Sequence, residues 1–404
     1  MKYDFTSILE RTGKDAFALD GIGKYPGFSP EPPEKGFDVI PMWVADMNFP
    51  TVPTVIEKIS ERLKEPHFGY FMKREEYTQA IIDWHKLRHG VTDITKECIG
   101  YQNGVLGGVT SALNVFCSKG DKVLVHSPTY IGFTHVLEDN GYHAILSELK
   151  KDEKGIYRMD FEDMEKKIKE HKIHATIFCS PHNPCGRVWE KEEILKAMEL
   201  FEKYNVYIAA DEIWSDLILY NNKHIPTQSV NEYAKNHTVA LYAPSKTFNL
   251  SGLIGSYHII YDKFLRDRVE KESSLCHYND MNMLSMYALI GAFTKEGNEW
   301  VNELNKVLTE NNEYAVKYIK EHFNGVDCTH PEGTYMLFID CTEWCKEHNK
   351  TIEEVEKAAW KVGVAIQDGK MFHGPCHLRA NLALPLSRIK EAFDRLDKYV
   401  FNAK

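Results

Sequence analysis

Four short apolar runs, at residues 176–179, 206–210, 239–242 and 256–261, constrain the fold of this chain more than any other feature. None alternates cleanly between apolar and polar side chains, so none reads as a strand with one wet face. Each reads as a strand buried on both sides. An amphipathic stretch at 192–204 predicts a helix between two of them, and the same alternation is present upstream. There, 122–126 predicts a strand, 132–139 a helix, 144–149 a strand and 161–170 a charged helix. Strands that alternate with helices imply an α/β domain built on a mainly parallel sheet. Ligands of such sheets bind at the carboxyl ends of the strands, so the residues that follow each run are the places to look for chemistry.

The 404 residues exceed one ordinary core and suffice for two domains. The expected division is an arm with part of a small domain over 1–50, a large domain over 51–290 and a small domain over 291–404. Glycines and prolines crowd residues 1–40 and predict an irregular arm. Helical spacing recurs at 52–64, 75–89 and again after Gly104, where Val105, Val109, Leu113 and Phe116 share a face. The segment 284–323 is strongly helical and suits a crossing between domains. Beyond it, strands are expected at 335–339, 364–367 and 377–383, with helices at 352–362 and 389–399.

A net charge of −10 leaves no basic stripe for a nucleic-acid backbone and disfavours a membrane surface. The opening residues lack an apolar signal core and no later apolar run reaches the length of a membrane span, so a cytoplasmic protein is expected. Nine cysteines are scattered, several within apolar runs, as reduced core residues would be. Cys341 with Cys345, His171 with His174, and the group His373, Cys376 and His377 each fall short of a metal-ligand set, so no metal is expected.

The strand ends carry distinct polar residues. After 239–242 comes Ala243-Pro-Ser-Lys-Thr-Phe-Asn249, with Gly252 and Gly255 nearby. A lysine at a sheet edge, partly desolvated, can offer the neutral amine that forms a Schiff base with an aldehyde, although most of the 49 basic side chains are surface. After 206–210 comes Asp211-Glu-Ile-Trp214, which puts a carboxylate at the end of a buried strand, where a charge needs a partner. After 176–179 comes Ser180-Pro-His-Asn-Pro-Cys-Gly186, in which turn formers fix the direction of Asn183. After 122–126 comes Ser127-Pro-Thr-Tyr130, whose ring can lie over a flat cofactor or simply pack. Gln102-Asn-Gly-Val-Leu-Gly-Gly108 opens a helix, and reads either as a cap or as a phosphate cradle of backbone amides. The segment 40–50 reads either as an edge strand and turn or as the wall of a pocket. A phosphate cradle, a stacking aromatic, a buried carboxylate and a lysine are what pyridoxal 5'-phosphate requires, with Lys246 binding its aldehyde and Asp211 keeping its ring nitrogen protonated.

In this order and spacing, Ser-Pro-His-Asn-Pro-Cys-Gly, Asp-Glu-Ile-Trp and Pro-Ser-Lys-Thr-Phe-Asn resemble the fold-type I pyridoxal phosphate enzymes of the class I/II aminotransferase superfamily. Met42-Trp-Val-Ala-Asp-Met-Asn-Phe-Pro50 and Phe68-Gly-Tyr70 resemble its cystathionine β-lyase, or C–S lyase, branch. The resemblance implies a large domain with a mainly parallel seven-stranded sheet flanked by helices, plus a smaller α+β domain. It implies that Lys246, Asp211, Asn183 and Tyr130 bind the cofactor, that the amides of Val105 and Leu106 with Ser245 hold its phosphate, and that Trp214 contacts it. Trp214 stands where many relatives carry tyrosine or histidine; an indole donates but cannot accept a hydrogen bond. Ile254 stands where transaminases of the superfamily place a phosphate-binding arginine, and this fits the lyase branch better. Tyr70 would serve the neighbouring subunit of a homodimer with shared active sites. Arg379 would grip the substrate carboxylate, and Asp46 and Ala45 would line the substrate pocket. The expected reaction is β-elimination from cystathionine, cysteine or a cysteine S-conjugate to a thiol, pyruvate and ammonia. The alternatives are amino-group transfer to a 2-oxo acid by the same residues, and a cofactor-bearing protein that acts through protein partners.

Overall fold

The computed structural model describes residues 1–275 and 279–402. It contains two units. One comprises Thr51–Asn183 and Arg187–Asn302; the other comprises Met1–Pro50, Pro184–Gly186 and Glu303–Lys404, as far as they are described.

The first unit is organised on a seven-stranded sheet. Its strands are β1 (Ile99–Gln102), β2 (Lys122–Ser127), β3 (His143–Glu148), β4 (Ala175–Cys179), β5 (Tyr207–Asp211), β6 (Thr238–Tyr242) and β7 (Ser256–Ile259). They lie in the order β1-β7-β6-β5-β4-β2-β3. Every pairing from β6 to β3 is parallel, and β7 alone runs against its neighbours. The mainly parallel sheet expected from the apolar runs is therefore present. All five residues of β4 and of β6 are buried, which accounts for their lack of alternation.

Helices cover the sheet: α1 (Pro53–Leu63), α2 (Glu75–His89), α3 (Val105–Phe116), α4 (Ile131–Asp139), α5 (Phe161–His171) and α6 (Lys191–Tyr204). Val105, Val109, Ala112 and Leu113 of α3 pack into one core with Val123, Val125, Ile177, Ala209 and Leu241. Pro53 begins α1 where its missing N–H costs nothing, and Gly90 ends α2 in the left-handed conformation at φ 69°. Glu190 and Glu193 form a reciprocal capping box at the start of α6.

Strand β1 has no apolar run, and the sequence gives no strand signal there. It is held through packing instead, since a Cβ on Gly100 would stand 2.2 Å from the ring of His258 on β7. Only glycine leaves room for the His258 ring to lie across β1 at this position.

The second unit is an α+β assembly. Its sheet comprises β8 (Asp327–Cys328), β9 (Met336–Asp340), β10 (Gln367–Asp368) and β11 (His377–Asn381), in the order β8-β9-β11-β10 and antiparallel throughout. Ile40–Pro41 pairs in parallel with Val364–Ala365, so the N-terminal arm joins this unit. Ile40 and Met42 enter a core with Ile319, Leu337, Ala380 and Phe393. The helical stretch expected at 284–323 is two helices, Met283–Ala292 and α7 (Lys295–His322), and residues of α7 belong to each unit.

Candidate active site

Four neighbouring parallel strands, β6, β5, β4 and β2, end at the same edge of the sheet, and each is followed by one of the polar residues read from the sequence. Strands sit about 4.8 Å apart, so these four ends span roughly 15 Å, the scale of a small aromatic cofactor with its phosphate.

Lys246 lies in a single helical turn, Pro244–Thr247, directly after β6. It is half-buried, and its Nζ stands 5.6 Å from the centroid of the Trp214 indole, itself buried. Asp211 is the last residue of β5 and is 4% exposed. Burial pushes its carboxyl up to about 7, against the opposing pull of the Ile213 amide and the charge of Lys246. The Ile213 N–H donates to Asp211 Oδ1 at 3.0 Å and fixes the carboxylate's direction. Asn183, after β4, is buried with an Oδ1 that has no hydrogen-bond partner among the described residues. Leaving a buried amide oxygen unsatisfied costs about 1–3 kcal/mol, which a ligand donor would recover.

At the end of β2, Tyr130 precedes α4. A Cβ on Gly132 would meet Tyr130 Cε1 at 2.4 Å and Leu106 Cδ1 at 2.9 Å, so the glycine makes room for a tyrosine ring packed close to the start of α3. Helix α3 begins at Val105 after Gly104, which adopts φ 79° and supplies no side-chain cap. Its first amides therefore have no intrahelical acceptor, and the positive end of the helix dipole faces the same way. Ser245 is half-buried beside Lys246.

This donor set fits pyridoxal 5'-phosphate. Asp211 is a buried acid with a raised proton affinity, which suits it to face a cationic ring nitrogen; Asn183 Oδ1 needs a donor; the α3 amides suit a phosphate; Tyr130 offers a ring; Lys246 is an amine.

Behind this edge lies a buried polar network that strand-end reasoning missed. Glu212 is fully buried and accepts hydrogen bonds from Tyr242 Oη at 2.7 Å and the Thr227 amide at 2.9 Å, with His224 Nε2 at 2.7 Å. Burial acts to raise its proton affinity, but these bonds outweigh it and hold the carboxyl below its ordinary value. Glu212 follows the last residue of β5, and its partners are different from those of Asp211. Asp216 receives Arg88 Nε at 2.7 Å, the Trp84 indole N–H at 3.0 Å and the Thr247 hydroxyl at 3.4 Å. It thereby ties the turn that carries Lys246 to helix α2. The only sequence signal was a second carboxylate after Asp211.

In the second unit, Arg379 is 4% exposed on β11. Its Nη2 donates to Trp43 O at 3.0 Å and Gln367 Oε1 at 2.9 Å, and the guanidinium stands 4.1 Å from the Phe372 ring centroid. The 43–48 segment is a loop held against β11. Asn381 Nδ2 donates to Val44 O and Asp46 O at 2.7 and 2.6 Å, and Tyr335 Oη donates to Ala45 O at 2.9 Å. The Asp46 carboxylate is in an ion pair with Arg11, which also binds Met47 O and Asn48. Tyr70 is fully exposed, between exposed Phe68 and Met72.

Residues 38–396 match the family described as aminotransferase class I and II. The chain is 31% identical to cystathionine beta-lyase PatB of Bacillus subtilis (strain 168), over 97% of this chain and 98% of that one. Among solved structures, a pyridoxal phosphate-bound protein of Clostridium difficile 630, provisionally described as an aminotransferase, is 32% identical with a TM-score of 0.91, covering 99% of this chain and 100% of that one. Cystalysin from Treponema denticola, which contains pyridoxal 5'-phosphate, is 30% identical with a TM-score of 0.89, covering 98% of each chain. These likenesses extend over essentially the whole sequence and agree with the strand-end motifs, and the chain belongs to the aminotransferase class I and II family with the fold-type I architecture.

Proposed function

We propose that this protein is a pyridoxal phosphate-dependent C–S lyase. It cleaves the Cβ–S bond of cystathionine, cysteine or a cysteine S-conjugate, and with one water yields a thiol, pyruvate and ammonia. The observation that carries the reading is the pairing of a strand-end lysine with a buried, proton-avid Asp211 in a chain 31% identical, end to end, to a cystathionine beta-lyase.

When bound, pyridoxal phosphate supplies an aldehyde and an aromatic ring that withdraws the electrons of a breaking Cα–H bond. The chain's residues do the rest. Lys246 would hold the cofactor through its amine and would serve as the base that takes the α-proton. Asp211 would be the acidic partner of the ring nitrogen, Asn183, Trp214 and Tyr130 would hold the ring, and Val105, Leu106 and Ser245 would hold the phosphate. Arg379 binds the substrate carboxylate through charge-assisted hydrogen bonds, and Ala45 and Asp46 line the substrate pocket. As the sulfur leaves, the electron pair of the Cβ–S bond goes with it to form the thiolate.

The proposal includes a homodimer. The run from Phe68 to Met72 exposes Phe68, Tyr70 and Met72 together, more apolar surface than an isolated chain ordinarily leaves in one short segment. A cytoplasmic location is part of the same reading; no helix among the described residues is long and apolar enough to cross a membrane. Amino-group transfer is the second reading, favoured by the description of the Clostridium difficile structure.

One assay separates them. Purified protein is incubated with cystathionine or cysteine, with and without a 2-oxo acid, while pyruvate and thiol are followed. Release of both without the 2-oxo acid is expected, and Lys246→Ala should abolish it in a folded protein. Turnover that requires the 2-oxo acid, or full activity in Lys246→Ala, overturns the lyase assignment.

A further inference from the structure

The sequence offered His174 only an incomplete pairing with His171, and the fold brings it different companions. Cys117, Asp121 and His174 each bring one donor atom to a common point, all three within 4.8 Å of one another. They come from separate places in the first unit: Cys117 caps the C-terminus of α3, Asp121 immediately precedes β2, and His174 immediately precedes β4. We infer that Cys117, Asp121 and His174 form a binding site for a zinc ion, remote from the cofactor end of the sheet.

The donor set is chemically apt. A thiolate, an imidazole and a carboxylate together suit Zn²⁺ and disfavour Mg²⁺ and Ca²⁺, which take oxygen ligands. The spacing is also apt. With metal–ligand distances of about 2.0–2.3 Å, the corners of a tetrahedral zinc site lie about 3.3–3.6 Å apart. His174 Nε2 and Asp121 Oδ2 are 3.4 Å apart, so one edge of that tetrahedron already exists. The half-buried Cys117 thiol, within 4.8 Å of both, supplies the third donor. The fourth position faces solvent, since the His174 and Asp121 side chains are partly exposed, and water can fill it.

The backbone around each ligand is fixed beforehand. The Cys117 N–H donates to Leu113 O at 2.7 Å, the His143 N–H to Asp121 O at 2.9 Å and the Tyr207 N–H to His174 O at 2.9 Å. The Ser118 amide donates to Asp121 Oδ2 at 2.7 Å and aims that carboxylate. Ligands held in this way lose little freedom on binding, the property that turns a chance cluster into a site.

The location gives the ion its role. Helix α3 directs its N-terminal amides at the candidate phosphate cradle, and Cys117 lies at its other end, about 18 Å away for 12 residues. Zinc at Cys117, Asp121 and His174 ties the far end of that helix to two strands of the sheet. Its action is on stability, and it takes no part in the reaction.

The test uses the cofactor-loaded protein, stripped of metal by a chelator and free of substrate. Zinc uptake is measured by equilibrium dialysis and the bound ion by zinc K-edge X-ray absorption, for the parent chain, Cys117→Ser and His174→Ala. The expected result is one zinc per chain at micromolar free metal, with one sulfur among nitrogen and oxygen ligands, and a raised thermal midpoint. Cys117→Ser removes the sulfur signal, and each variant binds at least about tenfold more weakly. Absence of sulfur from the bound ion in the parent chain overturns the inference even if a variant fails to fold. So does zinc uptake that is unchanged in both variants, or that stays below one per chain at 100-fold higher metal.

Discussion

Replacing Asp211 by asparagine in the cofactor-free chain tests the central electrostatic argument. Burial holds the Asp211 carboxyl at about 7, against an ordinary value of 3.8. Between those values the folded chain keeps this proton while the unfolded chain has released it. The folded state therefore binds more protons, and stability falls as pH rises from about 4 to about 7. The rise is about three, and at about 1.4 kcal/mol for each, the penalty approaches about 4 kcal/mol above pH 7, as an order of magnitude. Asparagine has nearly the same shape, can keep the acceptor for the Ile213 N–H and does not titrate. Any constant cost of the substitution cancels in the pH dependence. Urea unfolding of both cofactor-free proteins from pH 4 to pH 9 should show the parent losing stability relative to Asp211→Asn across that window. Loading the parent with pyridoxal phosphate should flatten the difference, because a cationic ring nitrogen gives the carboxylate its partner. Parallel pH profiles for the two cofactor-free chains would refute the reasoning, and so would a parent that gains stability as pH rises.

Two further outcomes are expected. Arg379→Lys keeps the charge but loses the planar fork, so KM for the amino-acid substrate should rise roughly 10- to 100-fold, consistent with the ~1.5–3 kcal/mol of a charged hydrogen bond; an unchanged KM in steady-state assays removes Arg379 from the substrate site. Tyr70→Ala and Lys246→Ala should each be inactive alone, yet on mixing and re-association they should recover about a quarter of parental activity, because half the random dimers then hold one intact site. No recovery, with subunit exchange confirmed by mass spectrometry, argues that Tyr70 does not serve a neighbouring subunit.

The large sheet was legible because its strands are buried on both faces and announce themselves as unbroken apolar runs. The placement of Lys246, Asp211, Asn183 and Tyr130 at the strand ends was legible because the strands before them were. Strand β1 was hidden, since its pairing depends on Gly100 making room for His258, more than 150 positions away in sequence. Arg379 would have passed for a surface residue without the family resemblance. Its burial rests on Trp43, Gln367 and Phe372, contacts that no local pattern encodes. The Arg11–Asp46 pair was invisible for the same reason: the partners lie 35 residues apart, and no local pattern links them. Glu212 was seen only as the neighbour of Asp211, and its separate role needs the distant His224 and Tyr242.

The second unit is assembled from both ends of the chain, and this has a consequence for synthesis on the ribosome. The first unit is complete once residue 302 has been made. Ile40 and Met42 emerge early, but their partners Val364, Ala380 and Phe393 come last. At about 5–20 residues per second, the remaining stretch of roughly 100 residues takes roughly 5–20 s. Throughout that interval the arm displays apolar side chains with nothing yet made to cover them. The nascent chain is then most open to capture by chaperones, and a stall in translating the last hundred codons would expose the arm for longer while leaving the seven-stranded sheet intact.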